Sequence, residues 1–404
     1  MVGPSSDSAA PSRTRLLIIY GGRSAEHEVS CISAHHVVEA VDPDRYELRL
    51  VGITTDGRWV DTTTAALRSR EKGLPSPDEV ADAPGPPGAA GAAPSPGAAG
   101  SARTAGSVGT AGSAGSVGQQ LGLAVVGEEL RSAPGSPGSV VVLPLVHGPM
   151  GEDGTVQGLL ELIGLPYCGP GVAGSAAAMD KGMAKALLTA AGLPQARYIH
   201  RYETQIEEHL ASEVEDSLGW PVFVKPANMG SSIGISKVTG PDHLSAALDL
   251  ALRYDDQLVI EEAVNARELE IGVLGWPDLR TSVPGEIKPS RDFYDFDDKY
   301  LAGYAGLEIP ARLPEGVAEE MARLAVAACR ALRVDSMARV DFFLEEHGRG
   351  LLINEINTIP GFTPISMFPR MWAASGVSYT ELLEELVDQA QRRAARRARF
   401  ETGH

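Results

Sequence analysis

ARVDFFLEEHGRGLLINEIN, residues 338–357, reads as two apolar runs joined by a polar turn at Gly348 and Gly350, the pattern of a β-hairpin. With the turn centred near Gly348, Asp341 falls opposite Glu355 and Arg339 opposite Asn357. Residues two apart share a strand face, so these four side chains converge on one side of the hairpin. Two carboxylates and an amide oxygen make a hard-oxygen donor set of the kind that holds Mg²⁺ beside phosphates. A neighbouring arginine can grip a phosphate or a developing oxyanion through two parallel hydrogen bonds. The same four residues would also suit a solvent-facing ladder of ion pairs. Against that stand Phe342, Phe343, Leu352 and Ile353, whose apolar bulk directs the polar row into an interior or a cleft.

Upstream lies a second hairpin, with Trp220–Lys225 as one strand and Gly234–Val238 as its partner. Between them sits PANMGSS, residues 226–232, whose glycine and serines can aim backbone N–H and hydroxyl donors at phosphate oxygens, with Lys225 at the strand end. Taken alone, this stretch fits a flexible turn equally well. No GxxxxGK[ST] occurs, which excludes a P-loop kinase, and no GxGxxG follows a strand, which leaves a nicotinamide dehydrogenase unsupported.

At the N-terminal end, Arg15–Tyr20 is a short apolar run closed by Gly21-Gly22, a buried strand and tight turn. His27–Val41 has helical apolar spacing, and Tyr46–Ile53 is a second strand ending near Asp56-Gly57. Strand, glycine turn, helix, strand opens an α/β domain. Ser139–Val146 is another buried strand, running into His147-Gly148. Val156, Leu159, Leu160 and Ile163 line one helix face, and Asp180–Ala191 is a helix stopped by Gly192 and Pro194. Strands are predicted near 258–262 and 269–275, and helices at about 315–332 and from near Ser378. The last helix ends in Arg392, Arg393, Arg396, Arg397 and Arg399, read as complementing the helix dipole or fraying into solvent. Pro84–Gly127 is dominated by Gly, Ala, Ser and Pro with Arg103 as its only charge, and is predicted to be a disordered surface loop.

A chain of 404 residues suggests two to three domains at roughly 150 residues each. The formal charge of −18 argues against a nucleic-acid partner. The first residues lack the apolar core of a secretory signal, and no run approaches the roughly 20 apolar residues that cross a bilayer, so no membrane partner is expected. Cys31, Cys168 and Cys329 are odd in number and lack CxxC spacing, so they read as buried thiols of a reducing, cytoplasmic compartment.

Together the segments resemble the D-alanine–D-alanine ligases of the ATP-grasp superfamily. The resemblance is carried by GGRSAEHEVS (21–30), HGPMGEDGTVQG (147–158), LPYCGPG (165–171), MDKGMAK (179–185), FVKPANMGSSIGISKV (223–238) and EEAVNARELEIGVLG (261–275). VPGEI (283–287), FYDFDDKY (293–300), ARVDFF (338–343) and NEINTIPGFTPISMFP (354–369) continue it. It implies an α/β, ATP-grasp fold: an N-terminal Rossmann-like α/β domain over 1–169, then two α+β domains, 170–260 and 261–404, sandwiching ATP. It also implies ATP-dependent joining of two D-alanines through a D-alanyl phosphate, for peptidoglycan precursor synthesis, with two Mg²⁺ or Mn²⁺ ions and a homodimer.

Residue by residue, the resemblance gives Glu26 the ammonium of the first D-alanine, with His147 lining the same subsite. Lys181 and Lys225 contact nucleotide phosphates, Glu261 and Glu268 hold adenine and ribose hydroxyls, and the Ser231 loop closes over the γ-phosphate. Asp341, Glu355 and Asn357 are the metal ligands. Arg339 and the Gly361 N–H form the oxyanion site, and Ser366 and Met367 border the second D-alanine. A lid at about 288–307 brings Tyr300 to Ser231 and Glu26, with Tyr294 and Phe296 packing it. His27, His35 and His36 read as packing or surface residues. A D-alanine–D-lactate ligase is the nearest rival; a catalytically silent nucleotide-binding regulator would not require the metal ligands, Arg339 and Tyr300 together.

Overall fold

Leu16–Tyr20 is apolar on both faces, and a strand of that kind must be covered on both sides. In the computed structural model it forms the centre of β1 (Thr14–Gly21). Residues 13–63, 74, 76–82, 140–288 and 306–401 are described. The predicted loop at 84–127 lies outside them, as do Tyr294, Phe296, Tyr300 and the expected lid except its two ends.

β1 pairs in parallel with β2 (Tyr46–Ile53) and β4 (Val140–Pro144), and β3 (Trp59–Asp61) adds antiparallel to β2. Helix α1 (His27–Ala40) covers one face, with α2 (Pro77–Asp82) nearby and α3 (Thr155–Ile163) on the opposite face. Two short helices, α4 (Val172–Met179) and α5 (Lys181–Ala190), lead away from this domain.

The middle of the chain is an antiparallel sheet, ordered β5-β8-β6-β7: β5 (Tyr198–Tyr202), β6 (Val222–Pro226), β7 (Ser236–Val238) and β8 (Gln257–Glu262). It has its own core, filled by Leu210 and Val214 of α6 (Leu210–Ser217) and Leu244 and Leu248 of α7 (Leu244–Ala251). The expected domain boundary between 260 and 261 falls inside β8, which pairs with β5 and β6 along its length.

The third sheet is antiparallel, ordered β12-β11-β9-β13-β14, with β10 (Arg280–Thr281) beside β9 (Arg267–Gly275). Its other strands are β11 (Gly285–Lys288), β12 (Gly306–Glu308), β13 (Ser336–Glu345) and β14 (Gly350–Asn357). The ends of the expected lid meet here, because Lys288 pairs with Gly306. One face packs on α8 (Val317–Ala331), whose Met321, Leu324, Ala325 and Ala328 are buried at helical spacing.

Helices α9 (Met367–Ala374) and α10 (Tyr379–Arg397) return to the first sheet. Ser378 and Glu381 form a reciprocal cap that starts α10. Leu382, Leu383, Leu386 and Val387 then join Leu16, Ile18, Phe368 and Trp372 in one core, so the last helix packs with the first strand. Arg393 is not frayed: it is 4 % exposed and donates to the carbonyls of Tyr167 and Gly169, each at 2.7 Å, and to Asp335 at 3.0 Å. Those carbonyls end a buried loop, and an arginine fork on the nearest helix satisfies them where dipole complementarity alone was expected. No helix among the described residues is long and apolar enough to cross a membrane.

Candidate active site

The candidate site begins at the β13–β14 hairpin of the third sheet. Arg339 pairs with Asn357 and Asp341 with Glu355, the register read from the sequence. The register shifts after Asp341, so Asn354 is the extra residue of a bulge and the apolar remainder of β14 realigns. On the other side of β13, Asp341 lies opposite Glu270 of β9. A row of three carboxylates, Glu270, Asp341 and Glu355, thus crosses three adjacent strands.

Arg339 is held in that row. Its Nε and Nη2 donate to Asp341 Oδ1 and Oδ2 at 2.7 and 2.8 Å, and its Nε lies 3.1 Å from Glu270 Oε2. Asn357 Nδ2 donates to Asp341 Oδ2 at 3.0 Å, leaving its carbonyl oxygen as the atom for a metal. Burial works against the guanidinium charge, but Asp341 and Glu270 outweigh it and raise its pKa well above the ordinary arginine value. An all-oxygen, part-buried donor set already paired with a cationic group fits a divalent metal.

The nucleotide side is built around Glu261, at the end of β8. Asp180 caps α5 by accepting from Met183 N at 2.8 Å, which sets Lys181 at the first helical position. The Lys181 N–H donates to Ala227 O and its Nζ to Met229 O, tying the helix start to the serine loop. Glu261, read from the resemblance as a contact to adenine or ribose, has its Oε1 accepting from Lys185 Nζ at 2.6 Å and its Oε2 from Lys225 Nζ at 2.5 Å, and it is 2 % exposed. Burial would raise its pKa, but the two lysine charges prevail and bring it down to about 2. Burial likewise opposes the Lys225 charge, yet Glu261, helped by Glu355 and Glu268, holds its pKa above the ordinary lysine value. Lys225 is therefore a fixed positive charge beside the row of carboxylates. Glu268 lies two residues before Glu270 on the same face of β9.

The third part comes from the first domain. Ser231 and Ser232 have φ of +50° and +59°, a turn that projects the Ser231 hydroxyl out of the loop. Ser231 Oγ donates to Glu26 Oε1 at 2.5 Å, joining the loop to the start of α1. Gly148 has φ +74°, and a Cβ there would lie 2.8 Å from Glu26 Oε2, so the close approach requires glycine. His147 is buried: its Nδ1 lies 2.9 Å from Ile359 O and its Nε2 3.3 Å from Ser33 Oγ. Burial depresses its pKa despite the nearby Glu26 carboxylate.

Glu152 completes this corner. It accepts from Gly148 N at 2.9 Å and from Ile359 N at 3.1 Å. Burial, reinforced by Glu26, pushes its carboxyl up to about 8. His147 and Glu152 thus hold both ends of the Ile359 residue, two positions before Gly361. Ser366 Oγ, bonded to Thr363, lies 3.1 Å from where a Gly361 Cβ would stand. Met367 is buried against Ile287 and Met371, an apolar wall beside that turn.

Of the residues singled out in the sequence, Ser231 meets Glu26, Lys225 meets Glu261, and Arg339 and Asn357 meet Asp341; Tyr300 lies outside the described residues. His27 is buried with Nδ1 2.8 Å from Gly22 O, while His35 and His36 face Glu39. Sequence reasoning assigned no role to Glu152, Lys185 or Glu270. For Glu270 the signal was present: Glu268 and Glu270 alternate on one strand face, as Arg339 and Asp341 do.

Lysines from helix α5 and strand β6, a carboxylate row across β9, β13 and β14, and a serine loop bonded to the first domain are the parts of an ATP-dependent ligase of the ATP-grasp fold. The family described as D-ala D-ala ligase N-terminus matches residues 15–170, and D-ala D-ala ligase C-terminus matches residues 187–388. A Mycolicibacterium smegmatis protein named D-alanine–D-alanine ligase is 45% identical over 395 residues, covering 94% of this chain and 96% of its own. A Mycobacterium ulcerans protein of the same name is 43% identical over 401 residues, covering 96% and 98%. Among solved structures, the D-alanine-D-alanine ligase from Coxiella burnetii aligns with TM-score 0.73 and 30% identity, covering 96% of each chain. The VanG D-Ala:D-Ser ligase from Enterococcus faecalis aligns with TM-score 0.71 and 28% identity, covering 94% of this chain and 99% of that one. The chain belongs to the D-alanine–D-alanine ligase family.

Proposed function

We propose that this enzyme joins two D-alanines at the expense of ATP, and that the described site is where it does so. The observation that carries the reading is the Ser231–Glu26 hydrogen bond, which places the phosphate-side loop against a carboxylate suited to a substrate ammonium. Glu26 takes the amino group of the first D-alanine, and the carboxylate oxygen of that D-alanine attacks the γ-phosphorus of ATP. The new O–P bond forms as the bond to ADP breaks, giving D-alanyl phosphate. Lys181 and Lys225 hold the phosphates by charge, with Lys225 fixed in its ionised form by Glu261. A metal held by Asp341, Glu355 and Asn357 would neutralise charge on the transferring phosphoryl group.

The amine of the second D-alanine then attacks the acyl carbon, and collapse of the tetrahedral oxyanion expels phosphate. Arg339 and the Gly361 N–H stabilise that oxyanion, and the His147–Glu152 clamp on Ile359 holds the Gly361 turn in place. The reading includes two Mg²⁺ or Mn²⁺ ions, supported by the row of oxygen donors. Cytoplasmic location is supported by the need for ATP and three buried free thiols. A homodimer follows from family likeness.

The second substrate is the point to test, because the Enterococcus faecalis neighbour is named for D-serine. ATP, Mg²⁺ and an equimolar mixture of D-alanine, D-serine and D-lactate are supplied, and the products are weighed by mass spectrometry while phosphate is counted. D-Ala-D-Ala in excess, with one phosphate per dipeptide, is expected. Predominance of D-Ala-D-Ser or D-Ala-D-lactate would overturn the second-substrate assignment, and no phosphate release would overturn the ligase reading.

A further inference from the structure

Asp341 stands in two roles at once. It is read as a metal ligand, yet both of its oxygens are engaged by the Arg339 guanidinium, at 2.7 and 2.8 Å. A divalent cation arriving at Asp341 meets a fixed positive charge on the same carboxylate, and like charges at such range repel strongly in a part-buried site. Arg339 cannot relieve this by losing its proton. It needs a second anionic seat that lies outside the metal site and within reach of the same nitrogen.

Glu270 supplies that seat. It lies directly across from Asp341 on β9, on the side of β13 opposite Glu355. It is 5 % exposed, and its Oε2 is already 3.1 Å from Arg339 Nε. Passing the guanidinium from Asp341 to Glu270 requires a rotation within one side chain and no movement of any strand. We propose that Glu270 is a positioning residue that takes over Arg339 when the metal claims Asp341. It keeps the arginine aimed at the reacting centre without competing for the metal. The inference rests on the reading of Asp341 as a metal ligand, and it separates the carboxylate row by function: Glu355 and Asp341 face the cation, while Glu270 faces the arginine.

The test measures Mn²⁺ binding by electron paramagnetic resonance in the full chain without substrates, so it does not depend on turnover. Thermal melts first establish that each variant is folded; Glu270→Asp, which keeps the charge, is the second variant should Glu270→Gln fail to fold. Glu270→Gln leaves Arg339 with Asp341 alone and is expected to weaken Mn²⁺ binding roughly 10- to 100-fold, the range found for groups that support a metal ligand from behind. Glu270→Asp is expected to recover most of that loss. In an Arg339→Ala background no guanidinium competes, so Glu270→Gln is expected to change Mn²⁺ affinity little. An equal loss in both backgrounds would make Glu270 a metal ligand in its own right, and no loss in either would make it a packing residue; each result overturns the proposal. Asp341→Asn is the control for the underlying reading. Undiminished Mn²⁺ binding in that variant would remove the metal site itself, and the proposal with it.

Discussion

Two glutamates, Glu261 buried in the central sheet and Glu152 half-buried in the first domain, are driven in opposite directions. Glu261 lies between Lys185 and Lys225 and is lowered to about 2, whereas Glu152, with Glu26 nearby, is raised to about 8. Burial alone would raise both. The difference comes from the neighbours, and it matches what each side must receive. On the proposed reading, Lys185 and Lys225, fixed by Glu261, belong to the side that takes phosphates, and Glu26 and Glu152 belong to the side that takes the substrate ammonium.

The strongest way to break this comparison is to remove charge where a cation must bind. Glu355→Gln keeps the shape of the hairpin but takes one charge from the donor row. Turnover is expected to fall roughly a thousandfold, about 4 kcal/mol of transition-state stabilisation, with the fold retained. Steady-state kinetics across a Mg²⁺ titration checks this; near-normal turnover at limiting Mg²⁺ would remove Glu355 from the metal site.

Next comes the lysine clamp. Lys185→Met leaves Glu261 buried with one counter-ion, and removing one partner of a buried pair costs about 3 kcal/mol or more. Urea unfolding should show that loss. An unchanged midpoint would mean that Lys225 alone suffices.

The smaller effects concern pH. Glu261, with its lowered pKa, contributes stability above its ordinary value near 4.5, lost as the pH falls through about 2. Glu152 has the opposite sign: its protonated form favours the fold fully below about 4.5, and this contribution is lost as the pH rises through about 8. Glu152→Gln, neutral at every pH, is expected to flatten the decline in melting temperature between pH 6 and 9, by a few degrees at the alkaline end. A variant that declines in parallel with the parent would show that Glu152 does not titrate there.

The nucleotide and metal sides were more legible in the sequence than the amino side, for a physical reason. Strand alternation is local, so the register of Arg339, Asp341, Glu355 and Asn357 followed from one turn. The strand beginnings at Thr14, Tyr46 and Gln257 were likewise close to where apolar runs start. The Glu261 clamp needs Lys185, contributed by a helix 76 residues upstream, and no spacing rule relates them. The pairing of Glu152 with Ile359 spans 207 residues and uses a backbone amide, which has no signature in side-chain identity. Arg393 shows the same limit: a basic residue at a helix end looks solvated until the carbonyls of Tyr167 and Gly169 are brought to it.

The most direct measurement of the contrast between the two sides is the proton count when D-alanine binds. At pH 7.5 a carboxyl titrating near 8 is mostly protonated, and a bound ammonium beside Glu26 and Glu152 lowers that value. Calorimetric titration of D-alanine into the enzyme with ADP and Mg²⁺, repeated in buffers of different ionisation enthalpy, should show net release of protons on binding. The release should vanish in Glu152→Gln. Binding with no proton release in the parent enzyme, or undiminished release in that variant, would contradict the picture of an amino side that holds its proton until the substrate cation arrives.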